Sequence, residues 1–138
     1  MTAMRFLDTN ILLYSISRDA SEESKRKKAI AIIAAGDLCL SVQVLQEFYV
    51  QATRSSRKDA LSHVQAADFI RVWCRFPVQE NTLAMLQCSL DTRERFRLSY
   101  RDAAMVEAAR AGGCRELYSE DTQHGQDFSG VRVINPFL

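Results

Sequence analysis

Short β-type runs alternate with longer helical patterns from one end of the chain to the other, and this alternation constrains the fold more than any other feature. Strands joined by helices long enough to cross back over a sheet pair in parallel, so the expected class is α/β, with a mainly parallel central sheet flanked by helices. Arg5–Leu7, Leu38–Leu40, Phe76–Val78, Glu116–Ser119 and Val131–Ile134 are the expected strands. Helices are expected over Asn10–Ser15, Glu22–Ala35, from an N-cap at Ser41 to about Ala52, and over Lys58–Cys74, Asn81–Phe96 and Ser99–Ala111. Gly36 and the Gly112-Gly113 pair end two of them, and Arg54-Ser55-Ser56-Arg57 interrupts another pair. With 138 residues, 47% of them hydrophobic and no internal repeat, residues 1–138 read as one domain.

The formal net charge is +1, so any nucleic acid must be drawn by a local patch and not by a globally basic field. Cys39, Cys74, Cys88 and Cys114 form no CxxC or CxxH pair and read as small buried hydrophobes, not as a zinc site. No apolar run approaches the roughly 20 residues that a membrane span needs. The start offers no signal-peptide core, with Met4 an alternative first residue to Met1, so a cytoplasmic, reducing setting without structural disulfides is expected.

In an open parallel sheet, ligands gather outside the carboxyl ends of the strands, and four acids fall where they can reach that rim. Asp8 follows the first strand. Glu47 lies in the second turn of the helix leaving Leu38–Leu40, Asp102 in the first turn of a helix feeding back into the Glu116–Ser119 strand, and Asp121 just beyond that strand. Each also has a plainer reading. Asp8 can simply N-cap a helix, although Thr9 and Asn10 add oxygens able to orient a carboxylate or a water. Glu47 falls on the polar flank of its helix, where spacing does not distinguish a ligand from a solvated glutamate.

Asp102 shares a helical face with Met105, Val106 and Ala109, so its carboxylate must be paired, hydrogen-bonded or bound to a cation; Ser99 with an acid three residues on also approximates a capping box. Beside Asp121, Glu120 is an equally placed ligand, and the stretch is otherwise a polar loop containing His124, which receives no role. Acids crowded at one rim repel one another unless a cation or protons neutralise them. Mg²⁺ and Mn²⁺ are hard ions that prefer such oxygens; they lower the pKa of a bound water and screen the charge that builds on a phosphodiester during in-line displacement.

Phe6-Leu7-Asp8-Thr9-Asn10-Ile11-Leu12-Leu13-Tyr14, Val44-Leu45-Gln46-Glu47-Phe48-Tyr49, Leu98-Ser99-Tyr100-Arg101-Asp102-Ala103-Ala104 and Leu117-Tyr118-Ser119-Glu120-Asp121-Thr122-Gln123-His124-Gly125, followed by Val133-Ile134-Asn135-Pro136-Phe137, occur in that order. As an ordered set they resemble the PIN-domain ribonucleases, and within them the virulence-associated protein C type of toxin from bacterial toxin–antitoxin pairs. The resemblance implies metal-binding roles for Asp8, Glu47 and Asp102, with Asp121 at a less strictly required acidic position, and supporting roles for Thr9 and Ser119, which join the Asn10 oxygen already placed beside Asp8. It further implies an RNA substrate, a homodimer, and a small protein antitoxin whose tail occupies the acidic groove. Arg101 departs from the aromatic residue often found before the third acid.

Arg97 and Arg101 adjoin Asp102 and are candidate RNA contacts, Arg54, Arg57 and Lys58 form a separate basic cluster, and Lys25-Arg26-Lys27-Lys28 suits solubility, RNA or an antitoxin equally. Other readings remain: a housekeeping RNA-processing nuclease, a catalytically silent RNA-binding protein, or a phosphatase of the haloacid dehalogenase class. The last uses an aspartyl nucleophile after the first strand but places a second Asp where this chain has Asn10.

Overall fold

The computed structural model describes residues 4–138, and the choice between Met1 and Met4 as first residue lies partly outside them. Five strands, β1 (Arg5–Leu7), β2 (Leu38–Ser41), β3 (Val78–Gln79), β4 (Glu116–Tyr118) and β5 (Arg132–Ile134), form one sheet in the order β3-β2-β1-β4-β5. Every strand pairing is parallel, as the alternating pattern predicts. Helices α1 (Thr9–Ser15), α2 (Glu23–Ala34), α3 (Val42–Ala52), α4 (His63–Trp73), α5 (Leu83–Phe96) and α6 (Tyr100–Ala111) supply the connections. None is long and apolar enough to cross a membrane.

The chain winds from β1 outward through β2 and β3, then returns to the other side of β1 to add β4 and β5. The winding therefore reverses between β1 and β4, the place where an open parallel sheet leaves a crevice for ligands. Registry brings Leu7 opposite Tyr118, and the Asp8 amide donates to the Tyr118 carbonyl at 2.9 Å, so the chain segments leaving β1 and β4 start side by side.

Phe6, Leu7, Leu38, Leu40, Leu117 and Val133 bury the sheet. On α3, Phe48 turns inward and meets Trp73 of α4 edge-on at 4.7 Å between ring centres. Local signals set the helix ends. Ser41 accepts from the Val44 amide, Thr82 from Met85 and Ser99 from Asp102, so α3, α5 and α6 each begin on a hydroxyl cap. Gly36, after α2, adopts φ +79°, the left-handed backbone that ends a helix at least cost in glycine.

Two expectations need correction. A helix from Lys58 does not form; α4 begins at His63, because Ser62 and Gln65 make a reciprocal capping box while Arg57 pairs with Asp59 in the preceding loop. The cysteines are not uniformly buried either: Cys39 and Cys114 lie in the core, whereas Cys74 at the end of α4 and Cys88 on the outer side of α5 are exposed.

Candidate active site

Asp8 is the first residue beyond β1, its side chain 1% exposed. It does cap α1, accepting from the Thr9 amide at 2.6 Å, but that bond uses one carboxylate oxygen. The other accepts from Ser119 Oγ at 2.8 Å, and Ser119, at the end of β4, is itself fully buried. Ser119 Oγ in turn accepts from the Asp121 amide at 3.1 Å, so one hydroxyl ties the acid after β1 to the acid after β4. The capping and ligand readings of Asp8 are thus geometrically compatible.

Glu47 projects from α3 into the same crevice and is only partly exposed: Thr9 Oγ1 donates to its Oε2 at 2.7 Å. The polar flank of α3 is therefore turned toward α1 and not wholly toward water. Asp102 sits in the first turn of α6, whose Ala103, Met105, Val106 and Ala109 are buried. Its backbone amide completes half of the expected capping box by donating to Ser99 Oγ at 3.1 Å. Asp121 accepts from Asn10 Nδ2 at 3.0 Å, and burial pushes its carboxyl up, an effect the Asn10 bond partly offsets and the nearby Asp8 charge adds to.

Glu120, the equally placed acid on sequence grounds, points elsewhere. It accepts from the Tyr14 hydroxyl and from Lys25 Nζ, the latter at 2.7 Å, so Lys25 of the basic run is engaged here. His124 Nδ1 accepts from the Asn135 amide at 2.9 Å and anchors the loop after β4. Arg97 takes the left-handed conformation at the end of α5 (φ 57°) and lines a different cavity with Arg93, Glu94 and Leu98.

Arg101 occupies the middle of the cluster. Its Nη2 donates to Asp8 Oδ1 at 2.6 Å and to Glu47 Oε2 at 2.8 Å, and its Nη1 to Asp102 Oδ1 at 3.2 Å. Burial opposes its charge, yet the bonds to Asp8 and Glu47 and their negative fields outweigh that and raise its pKa. A cavity of about 520 Å³ gathers Glu47, Asp102, Asp121, Arg101, Thr9 and Asn10 at its wall, with Asp8 buried beneath. Among the described residues no group of three or more His, Cys, Asp or Glu side chains is arranged to hold a metal ion.

In chemical kind the residues do fit a hard divalent cation. All the donors are carboxylate, hydroxyl or amide oxygens. Ionised, the acids Asp8, Glu47, Asp102 and Asp121 carry four negative charges against the single positive charge of Arg101, which leaves a local excess for a cation to offset. Asn10, which lines this cavity, has its Oδ1 buried without a hydrogen-bond partner, an oxygen left free to accept.

The sequence matches the PIN-domain family over residues 5–127. The chain belongs to the PIN-domain family. No curated protein matches it by sequence. Among solved PIN-domain structures it is similar to VapC20 of Mycobacterium tuberculosis, a sarcin–ricin-loop-cleaving toxin, at 23% identity over 91% of this chain and 92% of that one, TM-score 0.66. It is also similar to a chain of a toxin–antitoxin complex from Klebsiella pneumoniae (21% identity, 96% and 97% of the two chains, TM-score 0.67). A third likeness is to VapBC2 of Rickettsia felis bound to a DNA fragment from its promoter (15% identity, 94% and 96%, TM-score 0.63). At these identities the likenesses establish a shared PIN fold. The resemblance read from the ordered motifs thus stands at the level of family and fold.

Proposed function

We propose that this PIN domain is a divalent-metal-dependent endoribonuclease and the toxin of a toxin–antitoxin pair. The observation that carries the reading is the convergence of Asp8, Glu47, Asp102 and Asp121, supplied by four separate segments, on one crevice at the point where the sheet reverses its winding. Asp8, Glu47 and Asp102 would hold Mg²⁺ or Mn²⁺, with Asp121 in support. When bound, such an ion supplies an activated water and screens the charge that builds on the phosphodiester.

The protein's part is positioning. Ser119 and the Thr9 amide fix the two oxygens of Asp8, Thr9 Oγ1 fixes Glu47, and Asn10 holds Asp121, so none of the three must reorganise when charge develops. Arg101 is the basic residue placed to meet an RNA phosphate at the same crevice, with a planar fork that suits paired oxygens. Arg97 lines a separate cavity and is not placed to meet RNA at the crevice. No protein nucleophile is needed, and Asn10, at the place where a haloacid dehalogenase phosphatase carries its second Asp, donates instead to Asp121.

The toxin assignment rests on PIN neighbours that are a toxin and a member of a toxin–antitoxin complex. A small protein antitoxin and a homodimer belong to this proposal. The test pairs purified wild type with Asp8→Ala and Asp102→Ala. RNA is expected to be cut with Mg²⁺ or Mn²⁺, EDTA to stop it, and each substitution to cost several orders of magnitude, Asp121→Ala less. A folded Asp8→Ala chain cutting at the wild-type rate overturns the reading. Induction of both chains in cells with mapping of new RNA ends separates a growth-arresting toxin from a housekeeping processing enzyme.

A further inference from the structure

We infer that Arg101 is a built-in competitor of the divalent ion: its guanidinium neutralises the acid crevice in the metal-free chain and has to leave for the ion to bind, so metal loading and release of Arg101 are one exchange. The inference rests on the metal-centre reading above and deepens it.

Three acids meet on this one side chain. Asp8, Glu47 and Asp102 come from the end of β1, from α3 and from α6, and their oxygens lie within 2.6–3.2 Å of its nitrogens. Nε also donates to Glu47 Oε1 at 3.1 Å, so all three guanidinium nitrogens are engaged. Thr9 Oγ1, 3.5 Å from Nη2, closes the remaining side. A guanidinium donating to these oxygens uses the lone pairs that a cation would need, and its carbon and nitrogens fill the space between them. Both cannot be bound in full at once.

The contacts are local to Arg101. Asp121, the remaining acid, is held by Asn10 and Ser119. Arg101 sits on the exposed end of α6 with its side chain 33% accessible, so it can swing toward solvent without disturbing the helix or its Ser99 cap. The energetic logic is that of a ligand whose binding-competent state is only fractionally populated: if the guanidinium occupies the acids about nine-tenths of the time, apparent metal affinity falls about tenfold. The exchange also keeps Asp8, buried at 1% exposure, from standing unpaired when no metal is present.

The test is Mn²⁺ binding, followed by the quenching of free-ion electron paramagnetic resonance, together with ¹⁵N NMR of the Arg101 Nε–H during Mg²⁺ titration of the wild-type chain. Mg²⁺ is expected to convert the Arg101 Nε–H from hydrogen-bonded and slowly exchanging to solvent-exchanging, and Arg101→Ala to bind Mn²⁺ about tenfold more tightly, a gain lost in the Asp8→Ala background. Mn²⁺ binding that depends on Asp8 while the Nε–H stays protected and Arg101→Ala shows no tightening overturns the competition and leaves the metal centre standing. Absence of binding at millimolar Mn²⁺ by both wild type and Arg101→Ala overturns the metal centre itself. The wild-type NMR measurement keeps the test decisive even where Arg101→Ala fails to fold.

Discussion

Removing one hydroxyl at Ser119 gives the sharpest test of how Asp8 is held. Ser119 is fully buried, and its Oγ both donates to Asp8 Oδ2 at 2.8 Å and accepts from the Asp121 amide at 3.1 Å. Ser119→Ala leaves the end of β4 in place but strips one donor from a buried carboxylate and the acceptor from a backbone amide. A hydrogen bond to a charged group contributes about 1.5–3 kcal/mol. Asp8 keeps the Thr9 amide and Arg101, so the lower part of that range, about 2 kcal/mol, is expected. For a chain of this size that lowers Tm by roughly 6–8 °C. Urea unfolding followed by circular dichroism, in EDTA, measures it. The Asp8→Ala and Ser119→Ala double-mutant cycle should return a coupling of about 1 kcal/mol or more, since the residues share one bond. Additive costs within about 0.3 kcal/mol would refute the claim that Ser119 fixes Asp8.

Other expectations follow from the same contacts. Burial raises the Asp121 carboxyl, so its favourable contribution is present in acid and is lost as pH rises through the folded value; in EDTA, the stability of Asp121→Asn relative to wild type should grow from pH 3 to pH 7, and a constant difference contradicts this. Arg101→Ala in EDTA should be less stable by roughly 2 kcal/mol, the value for a broken pair discounted for the exposure of Arg101, and Mg²⁺ should restore more of its Tm than it adds to wild type. A Cβ at Gly112 would stand 2.7 Å from Cys39 Sγ, so Gly112→Ala should cost about 1–3 kcal/mol in urea unfolding and much less when combined with Cys39→Ala; equal costs in both backgrounds refute the clash.

Much of this was legible in the chain because the sheet and the acids obey local rules. The apolar runs before Asp8 and before Glu120 become β1 and β4, and Ser41 and Ser99 cap the helices that carry Glu47 and Asp102. The register of β1 with β4 then makes neighbours of residues more than a hundred positions apart. Less legible was what turns on side-chain choice. Glu47 lies on a polar flank because hydrophobic periodicity marks burial against the core and is blind to a face meeting Thr9 and Arg101. Glu120 and Asp121 are adjacent, and it takes the Lys25 and Tyr14 contacts of the one and the Asn10 contact of the other to separate their directions. Arg101 precedes Asp102 in sequence as any surface arginine might precede an acid; its lodging among three carboxylates depends on where α3 and β1 place their ends. The start of α4 was, by contrast, written in Ser62-His63-Val64-Gln65, a capping box that outweighs the helix-compatible residues before it.

Soaking crystals of the chain in Mn²⁺ and recording anomalous diffraction locates the ion itself. A peak is expected between Asp8, Glu47 and Asp102, with the Arg101 guanidinium moved off all three carboxylates. Mn²⁺ bound only elsewhere on the surface, with Arg101 still bridging Asp8 and Glu47, would contradict it.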